Sequence, residues 1–286
     1  TFYIADPSDP AKEPQSWRYP RAGKNNAEVT LWLSPTIEQA SRFVHESVNS
    51  ASPAEAEFPA SMEIGWDRVK FPYLARVKWP KSGLPTVLVQ NRPQTEQMLL
   101  KVDLASGSTT PLFRETDEAW INLMDGIDLP AWTADGSRYV WFTEGAGSGR
   151  WEMRVHKADF HSDEPSAAMN FRTTSSAQGV SINSVLGVFE REGEPVAVVS
   201  ASHSSDPASV RVVEWDGVGP RSILEGEREQ QSIAMNDDAT AFVRTRSTAK
   251  GEIAWEIFTS EGGITGATKV GALASVTAEP PFLPTL

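Results

Sequence analysis

Four stretches of the chain, YLARVKWPKSGLPTVLVQN, LPAWTADGSRYVWFTEG, INSVLGVFEREGEPVAVVSAS and IAMNDDATAFVRTRS, share one layout: an apolar strand, a polar turn, a second apolar strand. Their anchor residues Leu74, Leu129, Ile182 and Ile233 stand 55, 53 and 51 residues apart. A third strand follows in each unit, at Met98–Val102, Glu152–His156, Val210–Glu214 and Trp255–Phe258. An interval of about 50 residues carrying three or four strands is the size of a propeller blade. A β-sandwich has no need of equal spacing, so the interval favours an all-β propeller.

The rest of the pattern agrees. Expected strands fall at Tyr73–Trp79, Thr86–Gln90, Gln97–Asp103, Arg138–Thr143, Arg150–His156, Val185–Phe189, Pro195–Ser200, Ser209–Trp215, Thr240–Arg244 and Ala254–Thr259. Ser82-Gly83, Ser106-Gly107, Asp135-Gly136, Asp216-Gly217 and Gly262-Gly263 lie between them as hairpin dipeptides. No long amphipathic helix interrupts the series, which argues against parallel βαβ folds. Residues 1–63 read as an irregular lead-in with a partial blade. Asp6-Pro7, Asp9-Pro10 and Glu13-Pro14 bias the backbone to turns. Val29–Leu33 reads as a strand, Thr36–Ser47 as a short helix and Asn49–Ala60 as a loop. Residues 64–286 then hold four blades of antiparallel strands. The expectation is a partial β-propeller of four to five blades. Closed propellers have roughly four to eight, so a ring that starts mid-sequence implies blades missing at the N-terminus.

Composition sets outer limits. A chain of 286 residues with 40% hydrophobic content buries a substantial core. It begins at Thr1 without an apolar leader, as a processed or excised chain does. No run approaches the roughly 18 apolar residues that cross a bilayer, so no membrane span is expected. A net charge of −12 repels nucleic acid and anionic headgroups, and serves chiefly for solubility. With no Cys, disulfides, thiolate nucleophiles and Cys-ligated metals are excluded.

The search for chemistry returns little. G-x-S-x-G is absent; Gly145-Ala146-Gly147-Ser148-Gly149 has the wrong spacing and reads as a hairpin loop. His45, His156, His161 and His203 show no i, i+4 zinc spacing, and read as solvated or packed. No P-loop, complete dinucleotide fingerprint or EF-hand loop occurs. Asp237-Asp238 and Asp163-Glu164 fall at turns, where carboxylates bond nearby backbone N–H groups. Arg18, Arg21 and Lys24 beside Trp17 and Tyr19 suit structural stacking, since the net charge disfavours nucleic acid. No catalytic residue, metal ligand or cofactor site is expected in this segment, which leaves a scaffold, a gate or a binding surface.

Two phrases carry a resemblance. RYPRAGKNNAEVTLWL, with Tyr19, Pro20, Arg21, Ala22, Gly23, Asn25, Val29 and Leu31, is similar to the Tyr-Pro-Lys/Arg-Ala-Gly segment of dipeptidyl peptidase IV-like serine peptidases, in the prolyl oligopeptidase superfamily. AWINLMDGIDLPAWTADGSRYVWFTE resembles that family's Trp-(Val/Ile)-Asn segment and the strands after it, through Trp120, Ile121, Asn122, Leu123, Asp135, Gly136, Trp141, Thr143 and Glu144. The exit AEPPFLPTL is similar to the linker into the family's hydrolase domain. The run Thr143–Trp151 departs from the family pattern by lacking its Arg and its His, as a divergent or altered-specificity member would.

The resemblance implies the non-catalytic propeller of an exopeptidase that removes N-terminal dipeptides with Pro or Ala in the penultimate position. The propeller would gate and orient short peptides. The triad would lie in an α/β-hydrolase domain after Leu286. The Glu pair that holds the substrate's amino terminus in the family lies upstream of the Tyr-Pro segment; this chain contains no Glu-Glu. Trp120 and Asn122 are the candidates for the substrate face, with a structural role as the competing reading. Homodimerisation and a periplasmic or secreted setting also follow from the resemblance, while the residues leave a cytoplasmic one open. A stand-alone propeller acting as an interaction module fits the residues equally well, and a relative of oligopeptidases or acylaminoacyl peptidases is a third reading.

Overall fold

The computed structural model describes residues 2–17, 25–36, 61–126, 129–144, 151–158, 180–216, 220–224 and 228–277. Among them there is no helix. Two short pairs come first: β1 (Phe2–Ile4) with β2 (Gln15–Trp17), and β3 (Leu31–Leu33) with β4 (Met62–Ile64). Antiparallel meanders follow. The first is β5 (Tyr73–Lys78), β6 (Thr86–Gln90), β7 (Glu96–Val102) and β8 (Thr109–Thr116). The second is β9 (Ala131–Trp132), β10 (Arg138–Glu144) and β11 (Trp151–Lys157). The third is β12 (Val180–Arg191), β13 (Glu194–His203), β14 (Asp206–Trp215) and β15 (Pro220–Ile223). The fourth is β16 (Glu229–Met235), β17 (Ala241–Thr248), β18 (Glu252–Thr259) and β19 (Thr268–Thr277). One parallel pair, Val210 with Gln230, joins the third to the fourth. These meanders are the blades of a partial β-propeller.

The core sits between blades, and strand periodicity explains how. Successive side chains of a strand face opposite ways. In β6, Val87 and Val89 join a cluster with Ile64, Phe71 and the partly buried Leu31 and Leu33. Leu88 between them faces the next blade and meets a cluster containing Tyr139, Trp141 and Trp215. In β13, Ala197, Val199 and Ala201 join that same cluster, whereas Val196 and Val198 pack with Phe242 and Phe258 of the fourth blade. A blade buried on both faces thus reads as a continuous apolar run. Each fully buried aliphatic side chain contributes about 2 kcal/mol.

Polar contacts fix the blades to one another. Arg76 donates to the carbonyl of Met124 at 2.7 Å. Asp125 O accepts from Val185 N at 2.9 Å. Gly126, at φ +112°, lies so close that a Cβ there would stand 1.9 Å from Val185 O. Gly83, at φ +87°, lets the first blade's turn lie on the Trp132 ring, where a Cβ would come within 2.4 Å.

The strands agree with the expected ones to within a few residues at most ends, and several run longer. The expected strand at 29–33 begins at Leu31. β8 and β19 were not expected, and of β16 only the apolar end from Ile233 was. β16 points Glu229 and Gln231 inward with Ile233, so polarity hides its alternation. β8 carries Pro111, Arg114 and Glu115. β19 meets β18 with two register shifts, which break its period. The helix and loop expected at 36–60 lie outside the described residues except for Thr36. So do Arg18, Tyr19, Arg21 and Lys24, the Gly145–Gly149 loop, His45, His161, Asp163-Glu164 and the exit segment.

Candidate functional site

The segment leaving β8 builds the site. Asp117 Oδ1 accepts the backbone N–H groups of Ala119 at 2.7 Å and Trp120 at 2.8 Å, forming a tight turn. Those bonds favour the charged form and lower the Asp117 pKa. Ile121 N donates to Gln94 O at 2.9 Å, and the Ile121 side chain is buried. The turn therefore plants Ile121 and presents Trp120, which is 51% exposed. Asn122 Nδ2 donates to Glu144 Oε2 at 2.8 Å, tying this loop to the last residue of β10 in the next blade.

Trp120 and Asn122 line one cavity of about 190 Å³, together with Glu115, Glu144, Thr143 and Arg154. Its floor is a polar network. Glu115 accepts from Gln97 Nε2 at 2.6 Å and Trp141 Nε1 at 3.4 Å. Burial pushes the Glu115 carboxyl above its usual range, against those two hydrogen bonds and the charge of Arg154. Arg154 in turn pairs with Glu152 at 3.2 Å. The cavity offers hydrogen-bond acceptors, an amide and an exposed indole face. It can hold and orient a polar group. The sequence reading offered Trp120 and Asn122 as candidates and named Glu144 only as part of the family-like phrase. It did not single out Glu115 or Arg154: β8 was not expected, and Arg154 lies inside the expected strand Arg150–His156 with no local signal to set it apart.

The other titratable candidates sit elsewhere. His156 is buried in β11, stacked on Tyr139 with centroids 5.0 Å apart and tilted on Phe113 at 4.8 Å. Burial pushes its pKa down to about 4. His203 is exposed at the end of β13, with Nδ1 at 2.6 Å from Ser205 Oγ. Among the described residues no three His, Cys, Asp or Glu side chains gather as a metal site. Among the same residues no helix is long and apolar enough to cross a membrane.

The fold has relatives among solved structures. Porphyromonas gingivalis dipeptidyl peptidase 4 superposes with a TM-score of 0.64 at 15% identity, covering 95% of this chain and 33% of that one. A Bacteroides ovatus protein assigned as a dipeptidyl aminopeptidase IV gives 0.59 at 14% identity, covering 98% of this chain and 37% of that one. The chain spans about a third of the length of these structures. No curated protein matches it in sequence. The model of the dipeptidyl peptidase IV (DPP IV) N-terminal region matches residues 1–250, and the chain belongs to that family.

Proposed function

We propose that this chain is the non-catalytic propeller portion of a dipeptidyl peptidase IV-like serine exopeptidase. In this reading residues 64–286 form four blades behind the lead-in of residues 1–63. The whole enzyme removes N-terminal dipeptides with Pro or Ala in the penultimate position. Nucleophile, base and oxyanion donors belong to an α/β-hydrolase domain following Leu286, where acyl transfer occurs. The propeller restricts access to short peptides and orients them. Two such chains associate as a homodimer.

The observation that carries the reading is the family match over residues 1–250 on a partial propeller. The cavity supplies the finer part. Trp120 offers an apolar face to a peptide, and Asn122 is held in place by Glu144. Such groups position a substrate without touching the reacting bond, and positioning residues act on KM more than on kcat.

The test uses the chain continued through its downstream reading frame. Trp120→Ala should raise KM for a dipeptidyl-Pro reporter roughly tenfold, with kcat within about twofold. An unchanged KM removes Trp120 from the substrate face. A reading frame with no hydrolase downstream replaces the exopeptidase reading with that of a stand-alone binding propeller.

A further inference from the structure

The links between first and second strands of the first, second and fourth blades converge with the end of β12 in the third. Trp79 and Ser82 from the first blade, Thr133 from the second, Glu190 from the third and Asp238 from the fourth line one cavity of about 720 Å³. It lies at the opposite end of β10 from the Trp120 cavity. Thr133 precedes Arg138, which starts that strand, while Glu144 ends it. On β10 the nearest lining residues are Val140 here and Thr143 there, three residue steps or about 10 Å of strand apart, and the two cavities share no lining residue.

Several charges lining this cavity are already engaged. Lys81 and Asp237 form an ion pair between the first and fourth blades, with both side chains exposed. Asp238 accepts Thr240 Oγ1 at 2.7 Å and Thr240 N at 3.3 Å. Glu190 accepts the Ala134 N–H through Oε1. Lys78 differs. It is half-buried, it lines the cavity, and its ammonium has no hydrogen-bond or ion-pair partner among the described residues. Beside it Trp79 is 60% exposed, and the Trp132 ring, Pro80 and Pro195 supply further apolar wall.

We propose that this cavity is a second ligand site, for a zwitterion whose carboxylate meets Lys78 and whose apolar side chain lies on Trp79. An ammonium with no protein partner is open to donate a charge-assisted hydrogen bond to a ligand carboxylate. An exposed indole buries large area against an aliphatic or aromatic group. The remaining oxygens of Asp237, Asp238 and Glu190 give the ligand's ammonium a favourable wall. This chemistry belongs to free apolar amino acids and to short unblocked peptides. The site is separate from the proposed exopeptidase cavity and does not depend on that reading.

Calorimetric titration of the 286-residue chain distinguishes the sources. The probes are phenylalanine, the tripeptide Phe-Gly-Phe, its C-terminal amide and its N-acetyl form. At least one unblocked probe should bind, and phenylalanine against tripeptide identifies which source fits. Amidation and Lys78→Met should each weaken binding roughly tenfold, the loss of one charge-assisted contact. Trp79→Ala should weaken it similarly while the thermal midpoint stays at the parent value. The proposal is overturned if neither unblocked probe binds, or if amidation or Lys78→Met leaves affinity unchanged.

Discussion

Glu214 Oε2, wholly buried on β14, accepts the Thr265 backbone N–H at 3.0 Å and the Thr265 hydroxyl at 2.9 Å, across the boundary between the third and fourth blades. The same oxygen accepts Ile264 N at 3.1 Å, while Arg191 pairs with Oε1 and reaches Gly262 O at 2.7 Å. One carboxylate therefore pins the turn between β18 and β19 onto the preceding blade. Replacing it strands several donors at once. Glu214→Ala should lower stability by about 3 kcal/mol, and Glu214→Gln, which keeps an acceptor oxygen, by about half that. Urea unfolding midpoints of the two variants measure the difference.

His156 gives the chain a pH response. Its folded pKa is about 4, depressed from 6.5 by burial. Between those values the unfolded chain binds more protons than the folded one, so stability rises with pH. The His156 contribution is complete above about pH 6.5 and is lost as pH falls towards 4. The total loss is about 3 kcal/mol. His156→Phe keeps the aromatic packing and cannot titrate. Urea unfolding from pH 7 to 4 should fall less steeply for His156→Phe than for the parent.

Two glycines with similar backbone demands should respond unequally. Gly126→Ala sets a Cβ against Val185 O, where two blades meet, and should destabilise by at least about 2 kcal/mol. Gly193, at φ +75°, has nothing within 4 Å of a built Cβ. Gly193→Ala meets only the left-handed backbone penalty of about 1 kcal/mol. Thermal midpoints of the two variants compare them directly.

Burial raises the Glu115 pKa, so its ionisation at neutral pH opposes folding. The sign is opposite to that of His156: a raised carboxyl favours folding at low pH and loses that advantage as pH climbs through the folded pKa. Glu115→Gln retains an acceptor for Gln97 and Trp141. It should gain about 1 kcal/mol at pH 7 and nothing at pH 4. Urea titrations at the two pH values report the gain.

What the sequence made legible follows from these contacts. β6 and β13 were readable because both faces pack between blades, and Thr86–Gln90 and Pro195–Ser200 stand out as apolar runs. The first half of β16 was not, because Glu229 and Gln231 point inward, where Glu229 meets Arg246 at 3.3 Å. Local periodicity cannot show that a partner 17 residues later neutralises a charge. The same limit applies at the candidate site. Trp120 and Asn122 stand within a recognisable phrase. Glu115 joins them only because the loop after β8 folds back over it.

The most direct test of the central claim is hydrolysis of a dipeptidyl-Pro reporter by the purified 286-residue chain, run beside the chain continued through its downstream reading frame. The account predicts a rate equal to buffer for the chain alone and turnover for the continued chain. Turnover by the 286-residue chain alone would contradict it, because the catalytic groups would then lie within the propeller.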